Sequence, residues 1–148
     1  MSLHRLNSET LVFLVLSLIF FHIITGGFVG TSGYSETKTT ELVMYHPASV
    51  KEGSLLPENF YEHCSVIMDN IVYLIGGFDT QSKILAIDIR TSEMTYKSEL
   101  KHGRERHACA KITGLNPKII VSGGSNNNGD VKSTEIYDNL NDSWEIGK

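Results

Sequence analysis

The chain of 148 residues is 41% hydrophobic and 20% charged, a composition that is typical of a folded domain and excludes global disorder. Seventeen acidic and thirteen basic residues give a net charge of -4 without a long basic block, so we expect no nucleic-acid partner. The two cysteines, Cys64 and Cys109, are too few for a scaffold held by several disulfides, and no Cys/His cluster has zinc spacing.

The chain begins with an apolar segment, residues 1–21, and its hydrophobic run covers residues 11–24. A run of this length is typical of a signal peptide and is shorter than the ~20 residues of a membrane-spanning helix. We therefore expect a secreted or membrane-anchored protein of the secretory pathway, with membrane contact only if the segment is retained. Two alternatives stay open: a signal-anchor helix that extends to Gly30, and a β-strand over residues 22–28 in a cytoplasmic protein.

Three hydrophobic runs each end in a glycine pair, and the second glycines are spaced by 50 and then 47 residues. These pairs are Gly26 and Gly27, Gly76 and Gly77, and Gly123 and Gly124. After each pair, a polar stretch precedes a short run that contains Tyr45, Ile87 or Tyr137 near its end. His63 and His107 stand 44 residues apart, before the second and third pairs. The coincident spacing predicts an internal repeat.

Each repeat is predicted to contain four short strands joined by turns, because no helical periodicity of useful length occurs between residues 60 and 148. We place the units at about residues 22–58, 59–103 and 104–148. The predicted fold class is all-β, and each unit is a four-stranded antiparallel sheet of the kind that forms one propeller blade. A glycine pair lets neighbouring backbone approach a strand end, and an aromatic residue fills the wedge between sheets.

The last unit resembles the repeat of the kelch family, in which a hydrophobic strand closed by Gly-Gly is followed by a Tyr and then by a Trp about six residues beyond it. Gly123, Gly124, Tyr137 and Trp144 match this pattern. The resemblance implies a partial kelch propeller of about two and a half repeats.

The two earlier units depart from the kelch pattern. The middle unit keeps its glycine pair but has Ile87 and Met94 at the Tyr and Trp positions, with Tyr96 as a candidate substitute for the missing aromatic residue. The first unit keeps its glycine pair and Tyr45, and Glu52 stands where Trp is expected. Only one unit carries the whole signature.

Kelch propellers generally close with five to seven blades, because closure removes the exposed edges of the sheets. The repeats found in this chain are too few to close such a ring. Two interpretations follow: the chain is a fragment or a short family member, which we favour, or several copies assemble as a homo-oligomer to complete a ring.

The kelch resemblance implies a non-catalytic protein-interaction module, with a protein partner that the sequence does not identify. We expect its contact surface in three variable loops, residues 29–40, 79–83 and 126–132. Two alternatives are a fragment of a secreted kelch enzyme, similar to copper oxidases or sialic-acid isomerases, and the substrate-receptor portion of a ubiquitin-ligase adaptor.

No catalytic residue, cofactor or metal site is predicted. His63, His102 and His107 could bind a metal by residue type only. His63 and His107 recur at the same point of two repeats, which favours a structural role. The basic stretch at residues 101–107 is expected to be a solvated loop. Asn141 begins a glycosylation sequon, and whether the two cysteines pair stays open.

Overall fold

The computed structural model describes residues 54–147 in full and three strands at residues 21–29, 35–45 and 48–52 as backbone. The predicted apolar segment, residues 1–21, lies outside this part of the chain except for Phe21, which begins the first strand. The chain divides into two compact units, Met1–Asn59 and Phe60–Lys148. Within the described residues no helix has the length and apolar character needed to cross a membrane.

The described residues of the first unit form an antiparallel sheet of three strands, in the order β1-β2-β3. The strands are β1, Phe21–Val29; β2, Ser35–Tyr45; and β3, Ala48–Glu52. Residues 22–28 therefore lie in a strand, which was one of the alternatives for this segment. Tyr45 ends β2.

The first glycine pair differs from the sequence prediction. Gly26 and Gly27 lie inside β1 rather than at its end, and the β1–β2 register is irregular between Thr25 and Gly27. Glycine inside a strand often accompanies such an irregularity, because it tolerates a local bend. The predicted contact loop at residues 29–40 is also wrong in part, since β2 begins at Ser35.

The second unit contains two four-stranded antiparallel sheets. The first has the order β4-β5-β6-β7, with β4, Cys64–Met68; β5, Ile71–Ile75; β6, Ile84–Asp88; and β7, Met94–Lys97. The second has the order β8-β9-β12-β13, with β8, Ala108–Ile112; β9, Lys118–Ser122; β12, Thr134–Asp138; and β13, Ser143–Ile146. A short ribbon, β10, Ser125–Asn126, and β11, Gly129–Asp130, follows β9. The predicted all-β class is confirmed, and the predicted four-stranded antiparallel sheets are found in the units at residues 59–103 and 104–148.

The core of the second unit lies between its two sheets. Side chains of the first sheet, including Tyr73 and Ile75, pack against Ile119 and Tyr137 of the second sheet, and all four are at most 2% exposed. The ring centroids of Tyr73 and Tyr137 are 5.9 Å apart. Burial of apolar surface at this joint, worth about 25 cal/mol per Å², holds the two sheets together.

The Tyr and Trp of the last repeat are cross-strand partners. Tyr137 on β12 pairs in register with Trp144 on β13, and their ring centroids are 5.0 Å apart. Ile87 and Met94 occupy the same register in the first of the two sheets. Tyr96 is 47% exposed, so the expectation that it replaces the missing aromatic filler is wrong.

Strands β4 and β8 contact each other across the two sheets. A disulfide links Cys64 to Cys109 there, with their Cα atoms 6.0 Å apart. The sequence left this pairing open because the two cysteines are 45 residues apart along the chain. The repeat itself brings them together, since each stands near the start of the first strand of its sheet.

Candidate functional site

Three connections of the second unit lie at one end of its two sheets. They are the loop from β5 to β6, the linker from β7 to β8, and the loop from β9 to β12, at residues 76–83, 98–107 and 123–133, and we call them the loop face. The linker is bound to both loops by backbone hydrogen bonds. Arg104 donates to the Gln81 carbonyl at 2.8 Å, and Glu105 and Ser125 exchange bonds of 2.8 and 3.0 Å.

Glycine is required where the linker approaches each strand end. Gly77 has a φ of 116°, and Gly124 has a φ of 87°, both in the region that side chains disfavour. A Cβ atom on Gly77 would lie 2.6 Å from the Tyr61 carbonyl, and one on Gly124 would collide with the Glu105 carbonyl. A Cβ atom on Gly76 would likewise collide with the Arg104 carbonyl, so Gly76 and Gly124 let the linker pack directly on the loops, and Gly77 makes room for the segment at Tyr61.

A buried ion pair lies beneath the loop face. The Arg104 guanidinium is 2.7 Å from a carboxylate oxygen of Glu135, and both side chains are fully buried. Arg104 also donates to the carbonyls of His102, Gly123 and Ser133, at 3.2, 3.1 and 2.8 Å. These bonds satisfy the buried guanidinium and connect the linker to the loop after β9.

The Glu135 carboxylate has its own set of backbone donors. The N–H groups of Lys101 and His102 donate to its two oxygens, at 2.8 and 2.9 Å. The prediction that residues 101–107 form a solvated loop is therefore wrong for Arg104 and Glu105, which are 0% and 7% exposed. A signal was present in the sequence: Glu135 stands two positions before Tyr137, and alternate residues of a strand share a face.

The repeated histidines are close to the linker and neutral near pH 7. Burial lowers the pKa of His63 to about 4. Burial also lowers the pKa of His107 to about 4, and the nearby charge of Arg104 acts in the same direction. His102, the third candidate ligand, is exposed. Among residues 54–147, no group of three or more His, Cys, Asp or Glu side chains could hold a metal ion.

An aromatic pair is exposed beside the loop face. Phe78, directly after the second glycine pair, is 47% exposed and stacks on Tyr61, with ring centroids 5.3 Å apart and planes inclined by 26°. The Phe78 N–H donates to the Tyr61 carbonyl at 3.0 Å, which fixes the loop beneath the rings. Arg106 forms a 2.8 Å ion pair with Glu62 nearby. This aromatic pair is not predictable from the sequence, because the stacking of two residues 17 positions apart depends on the fold.

The two remaining predicted loops contribute differently to the loop face. In residues 79–83, Asp79 is exposed, whereas the buried Thr80 hydroxyl donates to the Gly76 carbonyl at 2.7 Å. In residues 126–132, the ribbon of β10 and β11 replaces the expected irregular loop. Its polar tip is exposed and comprises Asn127, Asn128, Gly129 and Asp130.

The other predicted residues lie away from the loop face or in its support. Tyr137 and Trp144 are buried between the sheets. Gly76 and Gly123 begin the two loops and also have positive φ angles, of 63° and 71°. Asn141 is exposed in the turn from β12 to β13, where its side-chain amide donates to Asp138 at 3.2 Å.

Comparison with known proteins gives one family match and two relatives. The family model described as the Kelch motif matches residues 106–148. Kelch-like protein 41a of Danio rerio is 30% identical over 99 residues, which are 64% of this chain and 16% of that protein. Protein C13 of Swinepox virus (strain Kasza) is 31% identical over 94 residues, 60% of this chain and 18% of that protein. The chain thus spans less than a fifth of the length of either relative.

Proposed function

Since this chain is a kelch-repeat protein, we propose that it is a non-catalytic protein-interaction module whose partner binds the loop face. The relatives are much longer than the matched region, so the proposal concerns the binding surface of this chain alone. Its partner is a protein that contacts the exposed ends of the loops, while the sheets act as a rigid support.

The exposed Phe78–Tyr61 stack is the observation that carries this proposal. A large aromatic side chain that is half exposed and fixed by a neighbouring ring can be buried by a partner with little further loss of rotamer freedom. Such residues are enriched among those that dominate binding energy at protein interfaces. Arg106, paired with Glu62 beside Tyr61, and the exposed amide side chains of the β10–β11 ribbon offer further polar groups on the loop face.

Preorganisation of the loop face supports the same proposal. The buried Arg104–Glu135 pair and the backbone bonds of the linker hold the three connections together before a partner arrives. A surface that is already ordered loses less entropy on binding than flexible loops do. The loops are therefore suited to specific binding of a protein.

The test compares Phe78→Ala with Leu140→Ala in the full-length chain. Leu140 is 72% exposed in the turn after β12, at the opposite end of the sheets, so it serves as a matched control. Each form of the chain is cross-linked to the proteins that bind it, and the bound proteins are captured with it. We expect Phe78→Ala to reduce the amount of captured partner about tenfold or more, because loss of an aromatic anchor weakens binding by about 2 kcal/mol. Quantitative mass spectrometry of the captured proteins measures the loss. Equal capture by wild type and both variants would contradict the proposal.

We also propose that the chain enters the secretory pathway. The Cys64–Cys109 disulfide supports this location, since stable disulfides are typical of oxidising compartments. The exposed Asn141 supports it as well, because a glycosylation acceptor must be accessible. Treatment with a glycosidase that removes N-linked sugars tests the proposal: wild type should lose mass and Asn141→Gln should not, and an unchanged wild type would count against it.

A further inference from the structure

A groove opens between the two sheets of the second unit, at the end opposite the loop face. It has a volume of about 310 Å³, and its floor is formed by Ile71, Tyr73 and Ala86. Asn139, in the turn after β12, lines one side and accepts a 2.8 Å hydrogen bond from the Tyr73 hydroxyl. Since the first sheet supplies most of the lining and the hydrogen bond joins it to the turn of the second sheet, the groove is already formed without a ligand.

Two carboxylates lie opposite each other on the rim of this groove. Asp88 ends β6 and Glu93 immediately precedes β7, and the Asp88 N–H donates to the Glu93 carbonyl at 2.9 Å. Both residues line the groove. Like charges directly opposite on paired strands destabilise a sheet. A cation bound between the two side chains would remove that repulsion.

Asp88 is held in position by its own turn. Its Oδ1 atom accepts hydrogen bonds from the N–H groups of Arg90 and Thr91, at 2.7 and 3.3 Å. The guanidinium of Arg90 is 3.7 Å from the other carboxylate oxygen, and its side chain is 69% exposed. Because the Arg90 side chain is largely in solvent, an ion pair at this distance contributes little energy. The Oδ2 atom of Asp88 can therefore accept a hydrogen bond from a second cation.

Acidic residues outnumber basic ones around the groove: Asp69, Asp88, Glu93 and Asp142 face Arg90 and Lys97. Burial raises the pKa of the Tyr73 hydroxyl, and the nearby charges of Asp69 and Asp142 raise it further. Lys97 lines the groove and interacts with Asp142, so its charge is already partly balanced. An incoming positive charge is favoured at the acidic rim.

We propose that this inter-sheet groove binds an arginine side chain of a partner polypeptide. Its methylene groups lie along the apolar floor, and its guanidinium donates to Asp88 and Glu93. Arginine fits better than lysine because the planar guanidinium can donate to two carboxylates at once, whereas an ammonium is a compact point charge. This site is separate from the loop face, so either can fail without the other.

The experiment measures binding of three small probes to the isotope-labelled full-length chain. The probes are the acetylated amides of arginine, of lysine and of citrulline, which is the neutral isostere of arginine. We expect the arginine probe to shift the amide resonances of Ala86 and Thr95, which are register partners on the groove wall. Citrulline should bind about fivefold more weakly, because it lacks the charge.

The matched variants are Glu93→Gln and Glu145→Gln. Both carboxylates are exposed, so neither change threatens the fold, and Glu145 lies outside the groove. Glu93→Gln should weaken arginine binding about fivefold, and Glu145→Gln should leave it unchanged. The proposal is overturned if no resonance of the groove shifts, if citrulline binds as tightly as arginine, or if lysine does.

Discussion

At the scale of single residues, the buried Arg104–Glu135 pair shows how this small unit holds its linker. A buried ion pair is not by itself stabilising, since two charges must leave water. Here each charge has several hydrogen-bond partners: Arg104 reaches three carbonyls, and Glu135 accepts two backbone N–H groups. The pair therefore fixes the course of the linker rather than adding much net energy.

Removal of one charge should be far more harmful than removal of both. We expect Arg104→Met to lower the free energy of unfolding by about 3 to 5 kcal/mol, because Glu135 remains as an unpaired buried charge. The double variant Arg104→Met with Glu135→Gln should recover about 2 kcal/mol, since the amide keeps an acceptor oxygen without the charge. Urea unfolding measures both values. A double variant no more stable than Arg104→Met would contradict this prediction, because the unpaired charge of Glu135 would then not be the cause of the loss.

The arginine itself illustrates what sequence reasoning missed at this scale. Arg104 lies between Lys101 and Arg106 in a stretch that has the composition of a solvated loop. Nothing local marks one basic residue of that stretch as buried, because its partner Glu135 is 31 positions away. The Cys64–Cys109 pairing was open for the same reason, since it depends on how two sheets dock.

At the scale of elements, the sequence predicted the strands of the second unit better than those of the first. In the second unit, β5 and β9 end immediately before their glycine pairs, and the linker needs glycine at Gly76 and Gly124. In the first unit the same dipeptide lies within β1. Two adjacent glycines identify a site of backbone freedom, but what approaches them is decided by tertiary packing.

The two glycines of the last pair should respond differently to substitution. Gly124→Ala should destabilise the protein by about 3 kcal/mol or more, because its Cβ would collide with the Glu105 carbonyl and force the linker away. Gly123→Ala should lower stability by about 1 kcal/mol, since Gly123 has a φ of 71° but no atom within 4 Å of the added Cβ. Urea midpoints measure the difference. Equal effects would mean that backbone conformation alone, and not the close approach, requires glycine.

At the scale of the whole molecule, the pH dependence of stability should reflect the two histidines near the linker. His63 and His107 have pKa values of about 4 when folded, against 6.5 ordinarily. Below pH 6.5 the unfolded chain therefore binds more protons than the folded chain does. The contribution of these histidines to the free energy of unfolding is fully present above pH 6.5 and declines as the pH falls towards 4.

Between pH 7 and 5 we expect a loss of about 1 to 2 kcal/mol for each of these histidines. Denaturant unfolding at several pH values measures the slope. His107→Gln should remove about half of it, since one of the two groups is gone. A stability that is constant from pH 7 to 5, or that rises as the pH falls, would refute this assignment.

The two sheets of the second unit also differ in the faces they present. Ile75 and Ile84 are register partners in the first sheet and belong to the core. The corresponding pair in the second sheet is Ser122 and Thr134, whose hydroxyls are 3.0 Å apart. At this position the first sheet presents two isoleucines to the second sheet, whereas the second sheet presents two hydroxyl groups on its own corresponding face. Assembly of copies into a ring stays a prediction, which the native mass from light scattering would measure.

The disulfide between β4 and β8 has a consequence for proteolysis. Cys64 and Cys109 enclose 44 residues, among them the exposed Arg90 and Lys101. A single tryptic cut after either residue would divide the backbone, yet the two pieces would remain one covalent molecule until a reductant was added. The second unit can therefore tolerate a nick in this region without separating into fragments. A non-reducing gel would show one band for the nicked protein, and only a reducing gel would reveal the cut.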